Sequence, residues 1–239
     1  MNTSPRFDRR WWYGLPLALI ALMLVFEPSA LDFAFSDLFY VQGQGFIGRH
    51  NDFLEDVLHD RAKQLVIVIG VLAIAGFLLS LLPTRLRPLR RTLGYLVLAM
   101  GLSAGFVTPL KKVSQMHCPW SLQQYGGVEH FSPLLGPRAE PVEKPGNCWP
   151  GGHAAAGFAL FALFFALRNS HPRSARAALI AALTLGSLFS LVRIAQGAHF
   201  LSHNLWTALL CWLICLGLYD AMLYRPQRAA LPLPAAARA

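Results

Sequence analysis

Six long apolar runs divide this chain and constrain its fold more than any other feature. They cover residues 11–27, 65–83, 92–110, 152–167, 177–194 and 204–223. Each is close to the roughly 20 residues that cross a bilayer as an α-helix. Charged residues make up 14% of the chain, so a water-soluble helical protein would have too little polar sequence to cover its surface. The runs predict an all-α membrane protein with six transmembrane helices in one bundle.

Basic residues mark one side of the predicted bundle. Thirteen of the 21 Lys and Arg residues lie in four short segments, at 6–10, 85–91, 168–176 and 225–238. In a six-span chain these segments share one side, and short basic loops stay in the cytoplasm. The pattern predicts cytoplasmic N- and C-termini. It also accounts for the net charge of +9 without a nucleic-acid partner, since no base-reading motif is present.

The same topology predicts one membrane domain with two long outer segments. The domain covers residues 11–224, and 1–10 and 225–239 are cytoplasmic tails. The first outer segment, 28–62, contains apolar stretches that fit short helices lying on the membrane. The second, 111–150, is rich in Pro and Gly and predicts irregular structure, and loops of this length usually have a function.

The four cysteines divide into two pairs. Cys118 and Cys148 lie in the second outer segment, where an oxidising compartment would permit a disulfide. A disulfide is favoured over two free thiols because both residues lie in polar, irregular sequence. Cys211 and Cys215 lie within the sixth apolar run, which predicts an inert packing role.

Cationic and titratable side chains gather at the outer ends of the last four spans. Lys111, His153, Arg193 and His199 each lie where a span meets the outer surface, so packing in one bundle would bring them together. Fixed Lys and Arg side chains stabilise a phosphoryl group in transfer. One imidazole can attack phosphorus while another protonates the leaving oxygen. The set predicts phosphoryl chemistry that requires no metal or other cofactor.

Each of these residues also has a simpler interpretation when taken alone. Lys111 and Arg193 are typical of anchors at the membrane–water interface, and His153 is typical of a helix cap or surface residue. His199 and His203 are spaced as a metal-binding pair on one helix face. A metal is disfavoured because no HExxH motif or nearby acidic residue accompanies them.

Three segments resemble, in order, the signature of the type 2 phosphatidic acid phosphatase superfamily. That signature reads K-x6-R-P, then P-S-G-H, then S-R-x5-H-x3-D. Its counterparts here run from Lys111 to Pro119, from Pro150 to His153 and from Val192 to His203. The resemblance covers about residues 65–223 and is that of a divergent member.

The resemblance implies a role for each matching residue. His199 would be the nucleophile that forms a phosphohistidine, and His153 would protonate the leaving group. Lys111 and Arg193 would bind phosphate. Further substrate contacts are predicted for Gly151, Gly152 and Lys112, and His203 would assist His199.

Four positions depart from the signature. Cys118 replaces Arg, Gly151 and Val192 replace Ser, and His203 replaces Asp. A neutral His203, or less well Asn204, would accept a hydrogen bond from His199 but lacks the charge that supports an imidazolium. A carboxylate from elsewhere, Glu129 or one within 28–62, would substitute for the missing Asp. Candidates for the missing Arg are Lys112, Arg138 and Lys144.

The sequence therefore predicts an integral phosphatase of the inner membrane that acts on a lipid phosphate or diphosphate at the periplasmic face. A phosphotransferase with the same site and a non-catalytic lipid-phosphate binder or transporter are alternatives. A thiol–disulfide oxidoreductase that uses Cys118 and Cys148 ranks last, because no CxxC pair is present. Neither the lipid nor the oligomeric state is specified.

Overall fold

Helices form almost all of the structure. The computed structural model describes residues 8–49, 62–136 and 145–226. Its α-helices are α1 (Arg9–Val25), α2 (Ser29–Asp37), α3 (Ala62–Leu81), α4 (Arg90–Gly105), α5 (Val107–Ser114), α6 (Gly152–Phe158), α7 (Phe161–Leu167), α8 (Pro172–Ala195) and α9 (Leu201–Tyr219). Strands β1 (Tyr40–Val41) and β2 (Gly45–Phe46) pair as a short antiparallel hairpin. Short 3-10 helices cover Arg87–Leu89, Pro119–Ser121 and Gln123–Tyr125, and a π-turn at Asp220–Tyr224 extends α9.

Four segments are long and apolar enough to cross a membrane. They are Gln64–Leu81, Arg87–Ser121, Pro172–Ala195 and Leu201–Tyr224. Helices α1 and α2 qualify only as a pair, which bends by 90°, because Glu27 and Pro28 separate them. The apolar segment Gly152–Leu167 is shorter than a full span and is divided into α6 and α7. Within the described residues the structure therefore supports four or five membrane-spanning helices, and the sixth predicted crossing, over residues 152–167, is not confirmed.

Helix α3 shows most directly that the surface suits lipid. Its sequence is apolar on every face, and only 17% of the Gln64–Leu81 segment is buried, against 39% for Leu201–Tyr224. A helix that is apolar all round belongs in a large core or in a membrane. Because α3 packs mainly against α4, its remaining faces are available to lipid tails.

The core of the bundle is formed by α4, α6, α7, α8 and α9. Helices α6 and α7 pack on α8, and α4 packs on α9. Tyr95 in α4 is fully buried and donates a hydrogen bond from its hydroxyl to the Cys215 carbonyl of α9, at 3.1 Å. This packing directs the C-terminal ends of α5 and α8 and the N-terminal ends of α6 and α9 to the same end of the bundle.

An aromatic layer covers that end. Phe33 of α2, Phe46 of β2 and Tyr125 pack around the buried ring of Phe200. Gly197, between α8 and α9, has a φ of 70° and lies so close to Phe46 that a Cβ atom would overlap its ring. Helix α2 agrees with the short helix predicted in 28–62, and the apolar stretch at 53–58 lies outside the described residues.

Candidate active site

A polar cavity of about 550 Å³ lies at the end of the bundle that the aromatic layer covers. Lys111 of α5, His153 of α6, Arg193 of α8 and His199 all contribute to its lining, so the structure brings these four predicted residues together. Lys111, His153 and Arg193 also line a second cavity of about 300 Å³. The rest of that second cavity is mainly apolar, with Ala104, Val107, Ala156 and Phe189. A polar chamber that continues into an apolar groove suits an amphipathic ligand.

His199 lies in the loop between α8 and α9 and is 2% exposed. Its Nδ1 atom is 3.5 Å from Sγ of Cys148. A disulfide sulfur can only accept, so this contact favours the tautomer with a proton on Nδ1 and a lone pair on Nε2. Burial, with His203 and Lys111 nearby, holds the pKa of His199 well below its ordinary value. A neutral imidazole with a free lone pair is the form that a nucleophile requires.

Arg193, in the last turn of α8, is oriented by Gln196 just after the helix and by Trp120 in the segment between α5 and α6. Its Nη1 atom donates to Oε1 of Gln196 at 2.8 Å. Its guanidinium carbon lies 5.8 Å from the centre of the Trp120 ring, and that of Arg49 lies 5.7 Å from the same ring. Such cation–π contacts hold a guanidinium in place. Arg49 was not predicted, because nothing in its local sequence distinguishes it from an interfacial anchor.

A disulfide joins Cys118 to Cys148, whose Cα atoms are 5.1 Å apart. The bond connects the segment after α5 to the segment before α6. Its Cys148 sulfur is the atom that contacts His199. Cys118, which stands where the signature has an arginine, therefore supports the backbone around His199. Cys211 and Cys215 are buried and free.

The two glycines before His153 have different surroundings. Gly152 begins α6 and lines the apolar cavity beside Lys111. Gly151 packs against α9, where a Cβ atom would overlap Oδ1 of Asn204, and its carbonyl accepts a hydrogen bond from Thr207 at 3.1 Å. The serine of the signature would fit at position 151 only if the side chain of Asn204 moved.

Several predicted contributors lie away from the site or are paired with other residues. Lys112 is exposed on α5 and is not part of either cavity lining. Glu129 lines the polar cavity but pairs with Nε2 of His117 at 3.5 Å, and Asn204 donates to the Phe200 carbonyl at 3.1 Å. Arg138 and Lys144 lie outside the described residues.

A carboxylate from the first outer segment does reach the start of α9. Oδ1 of Asp32 accepts a hydrogen bond from the backbone N–H of Ser202 at 2.7 Å, and Oδ2 accepts from the Ser202 hydroxyl. The next residue, His203, has its ring centre 5.9 Å from that of His199. The sequence pointed only to some carboxylate within 28–62. The one available signal for Asp32 is an acid between two apolar residues of α2, Leu31 and Phe33.

Cys148, His199 and His203 form a group with metal-ligating atoms. One candidate atom from each lies within 4.8 Å of the others. The Cys148 sulfur is engaged in the disulfide and is not the thiolate that binds zinc. The residues present therefore do not fit a resident metal in the disulfide-bonded state.

Comparison with known proteins agrees with this geometry. The profile of the PAP2 superfamily matches residues 92–227, more than half of the chain. The lipid A 4'-phosphatase of Francisella tularensis subsp. novicida (strain U112) is 26% identical over 221 residues, which cover 90% of this chain and 96% of that protein. No solved structure matches significantly. With its motif residues around one cavity and this profile match, the chain belongs to the PAP2 superfamily.

Proposed function

We propose that this membrane protein hydrolyses a lipid phosphate or diphosphate through a phosphohistidine on His199, without a metal cofactor. The observation that carries the proposal is the convergence of Lys111, His153, Arg193 and His199 on one polar cavity that adjoins an apolar groove. The groove suits the lipid chain, and the polar chamber suits the headgroup. The relative that acts on lipid A supports a lipid phosphate as the substrate.

The geometry supports a two-step reaction. Nε2 of His199 attacks phosphorus, the bond to the leaving oxygen breaks, and His153 donates a proton to that oxygen. Lys111 and Arg193 stabilise the negative charge on the phosphoryl oxygens. Water then attacks the phosphohistidine and gives its proton to His153, which releases phosphate and restores both histidines. Transfer to an acceptor other than water would make the same site a phosphotransferase.

The orientation forms part of the proposal. Six crossings are made by α1, α3, α4 with α5, α6 with α7, α8 and α9, in a single domain over residues 11–224. The site then faces the periplasm, with both termini in the cytoplasm and the chain in the inner membrane. Support comes from Arg9 and Arg225, which both pair with Asp220 at the end of the bundle opposite the site.

The test measures phosphate release by purified protein from a panel of lipid phosphates, with a chelator present. The panel contains phosphatidic acid, phosphatidylglycerophosphate, undecaprenyl diphosphate and lipid A. We expect His199→Ala to lower the rate by about 10³-fold or more, while His171→Ala, an exposed histidine at the other end of α8, retains it. Release that is unchanged in His199→Ala would contradict the assignment of the nucleophile.

A further inference from the structure

A small polar chamber of about 170 Å³ lies behind the histidine pair. It shares no lining residue with the two cavities of the active site. Glu27, Asp32, Ser202 and His203 supply its polar lining, between the side chains of Trp149 and Trp206 and other apolar groups. A polar cavity of this size has room for several water molecules, since each occupies about 30 Å³ in the liquid.

The carboxyl group of Asp32 lies at one wall of this chamber, where burial raises its pKa to about 6, so that it is mostly ionised at neutral pH. Its side chain is 4% exposed and is held by the N–H and the hydroxyl of Ser202. Ser202 lies in the first turn of α9, where free N–H groups and the helix dipole stabilise an anion. The contact therefore fixes the carboxylate one residue before His203.

His203 lies between the chamber and the nucleophile. It is 1% exposed. Apart from a contact with the backbone of Cys148, its ring nitrogens have no hydrogen-bond partner within the described part of the chain. Its ring packs edge-on against His199 on one side, and it lines the chamber on the other. A buried imidazole normally forms hydrogen bonds to protein or water, and the chamber is where His203 can form them.

Positive charge predominates on the other sides of the histidine pair. Lys111 of α5, His153 of α6 and Arg193 of α8 all act on His199, and Lys111 also acts on His203. Each of these groups disfavours a second positive charge on the imidazoles. Asp32 and Glu27 are the acidic residues among those that line the chamber.

We infer that Asp32 is a positioning residue that acts through His203 to stabilise positive charge on His199, and that the partly exposed Glu27 connects the chamber to the outer solvent. The inference rests on the proposed function. When Nε2 of His199 bonds to phosphorus, the ring keeps its Nδ1 proton and becomes cationic. Water in the chamber links His203 to the Asp32 carboxylate, so the negative charge acts on the cationic His199 through the adjoining ring of His203.

The substitution Asp32→Asn tests the charge of this side chain separately from its hydrogen bond to Ser202. Asparagine keeps an oxygen that accepts from Ser202, but it removes the negative charge. We expect kcat to fall by about tenfold or more with KM unchanged. The acid limb of the pH profile should move to lower pH, because removing a carboxylate lowers the pKa of nearby imidazoles. Glu27→Gln should produce a smaller shift in the same direction.

Asp37→Asn is the matched control. Asp37 lies at the end of the same helix, is exposed, and accepts a hydrogen bond from the Tyr125 hydroxyl at 2.8 Å. We expect this variant to keep the kcat and the acid limb of the wild type. If the acid limb of Asp37→Asn shifted as far as that of Asp32→Asn, the effect would come from any change in α2 and not from the charge of Asp32. That result would overturn the inference.

A second readout requires no substrate. The titration of His203 can be followed by NMR in ring-labelled resting protein, with His203→Gln to assign the signal. We expect a lower midpoint in Asp32→Asn than in the wild type. An unchanged midpoint and acid limb, with at most a change in melting temperature, would reduce Asp32 to a helix cap and overturn the inference. Failure of the wild type to release phosphate would contradict the proposed function. The NMR midpoint of His203 would still show whether Asp32 acts on this histidine.

Discussion

The two ends of the helical bundle both carry charged side chains in buried settings, but they use these charges differently. At the end opposite the site, Asp220 accepts hydrogen bonds from Arg9 and Arg225, and Arg168 lies 4.5 Å over the ring of Trp12. At the site, Lys111 and Arg193 line a cavity. Charges matched by neighbours stabilise the protein, whereas charges directed into a cavity are available to an anionic ligand.

The largest expected effect comes from removing a cation at the site. We expect Lys111→Ala to lower kcat/KM for phosphate release by about 10²–10³-fold, because it removes a charge that stabilises the transition state. Arg225→Ala removes the same charge at the other end and should stay within about twofold of the wild type. Equal losses in the two variants would remove the distinction between the ends.

Restoring the serine of the superfamily signature should damage the site. Gly151→Ser would force a side chain into the space of Asn204, and overpacking of this kind costs about 1–3 kcal/mol. We expect phosphate release to fall and Asn204→Ala to restore part of it. Gly217→Ser, where a Cβ atom meets open space, is the matched control. A fully active Gly151→Ser variant would contradict the packing explanation.

The disulfide should contribute more to stability than to chemistry. Because it closes a loop between residues separated by 30 positions, replacing both Cys118 and Cys148 by Ser should cost roughly 3 kcal/mol. We expect a lower melting temperature in detergent, with phosphate release retained well below it. Complete loss of phosphate release in a variant that melts like the wild type would show that the disulfide acts on the chemistry at His199.

The smallest expected effect on activity comes from the opposite end. Asp220→Ala removes a carboxylate whose side chain is 5% exposed and should lower the free energy of unfolding by about 1–3 kcal/mol. Phosphate release measured below the melting transition should stay within about twofold of the wild type. A large loss of kcat without a change in melting would place Asp220 in the catalytic machinery.

The predicted site residues differ in how well the sequence could place them. Lys111, His153, Arg193 and His199 follow from their positions at span ends, because helix packing brings such ends together. Lys112 was also predicted, yet it points away from the cavities, since adjacent residues on a helix face different directions. The sequence predicted Asp32 only as one of the carboxylates within 28–62. Its contact with Ser202 could not be predicted, because it joins residues 170 positions apart.

The amino-acid sequence by itself determined the membrane-helix class, the order of the motifs and the end of the bundle that carries the chemistry. These properties depend on hydrophobicity and residue spacing, which are local. Only the tertiary structure decided that Asn204 excludes a side chain at position 151, that a disulfide sulfur contacts His199, and that Asp32 meets the start of α9. Such contacts depend on how each helix is rotated and tilted against its neighbours, and no local pattern encodes that geometry.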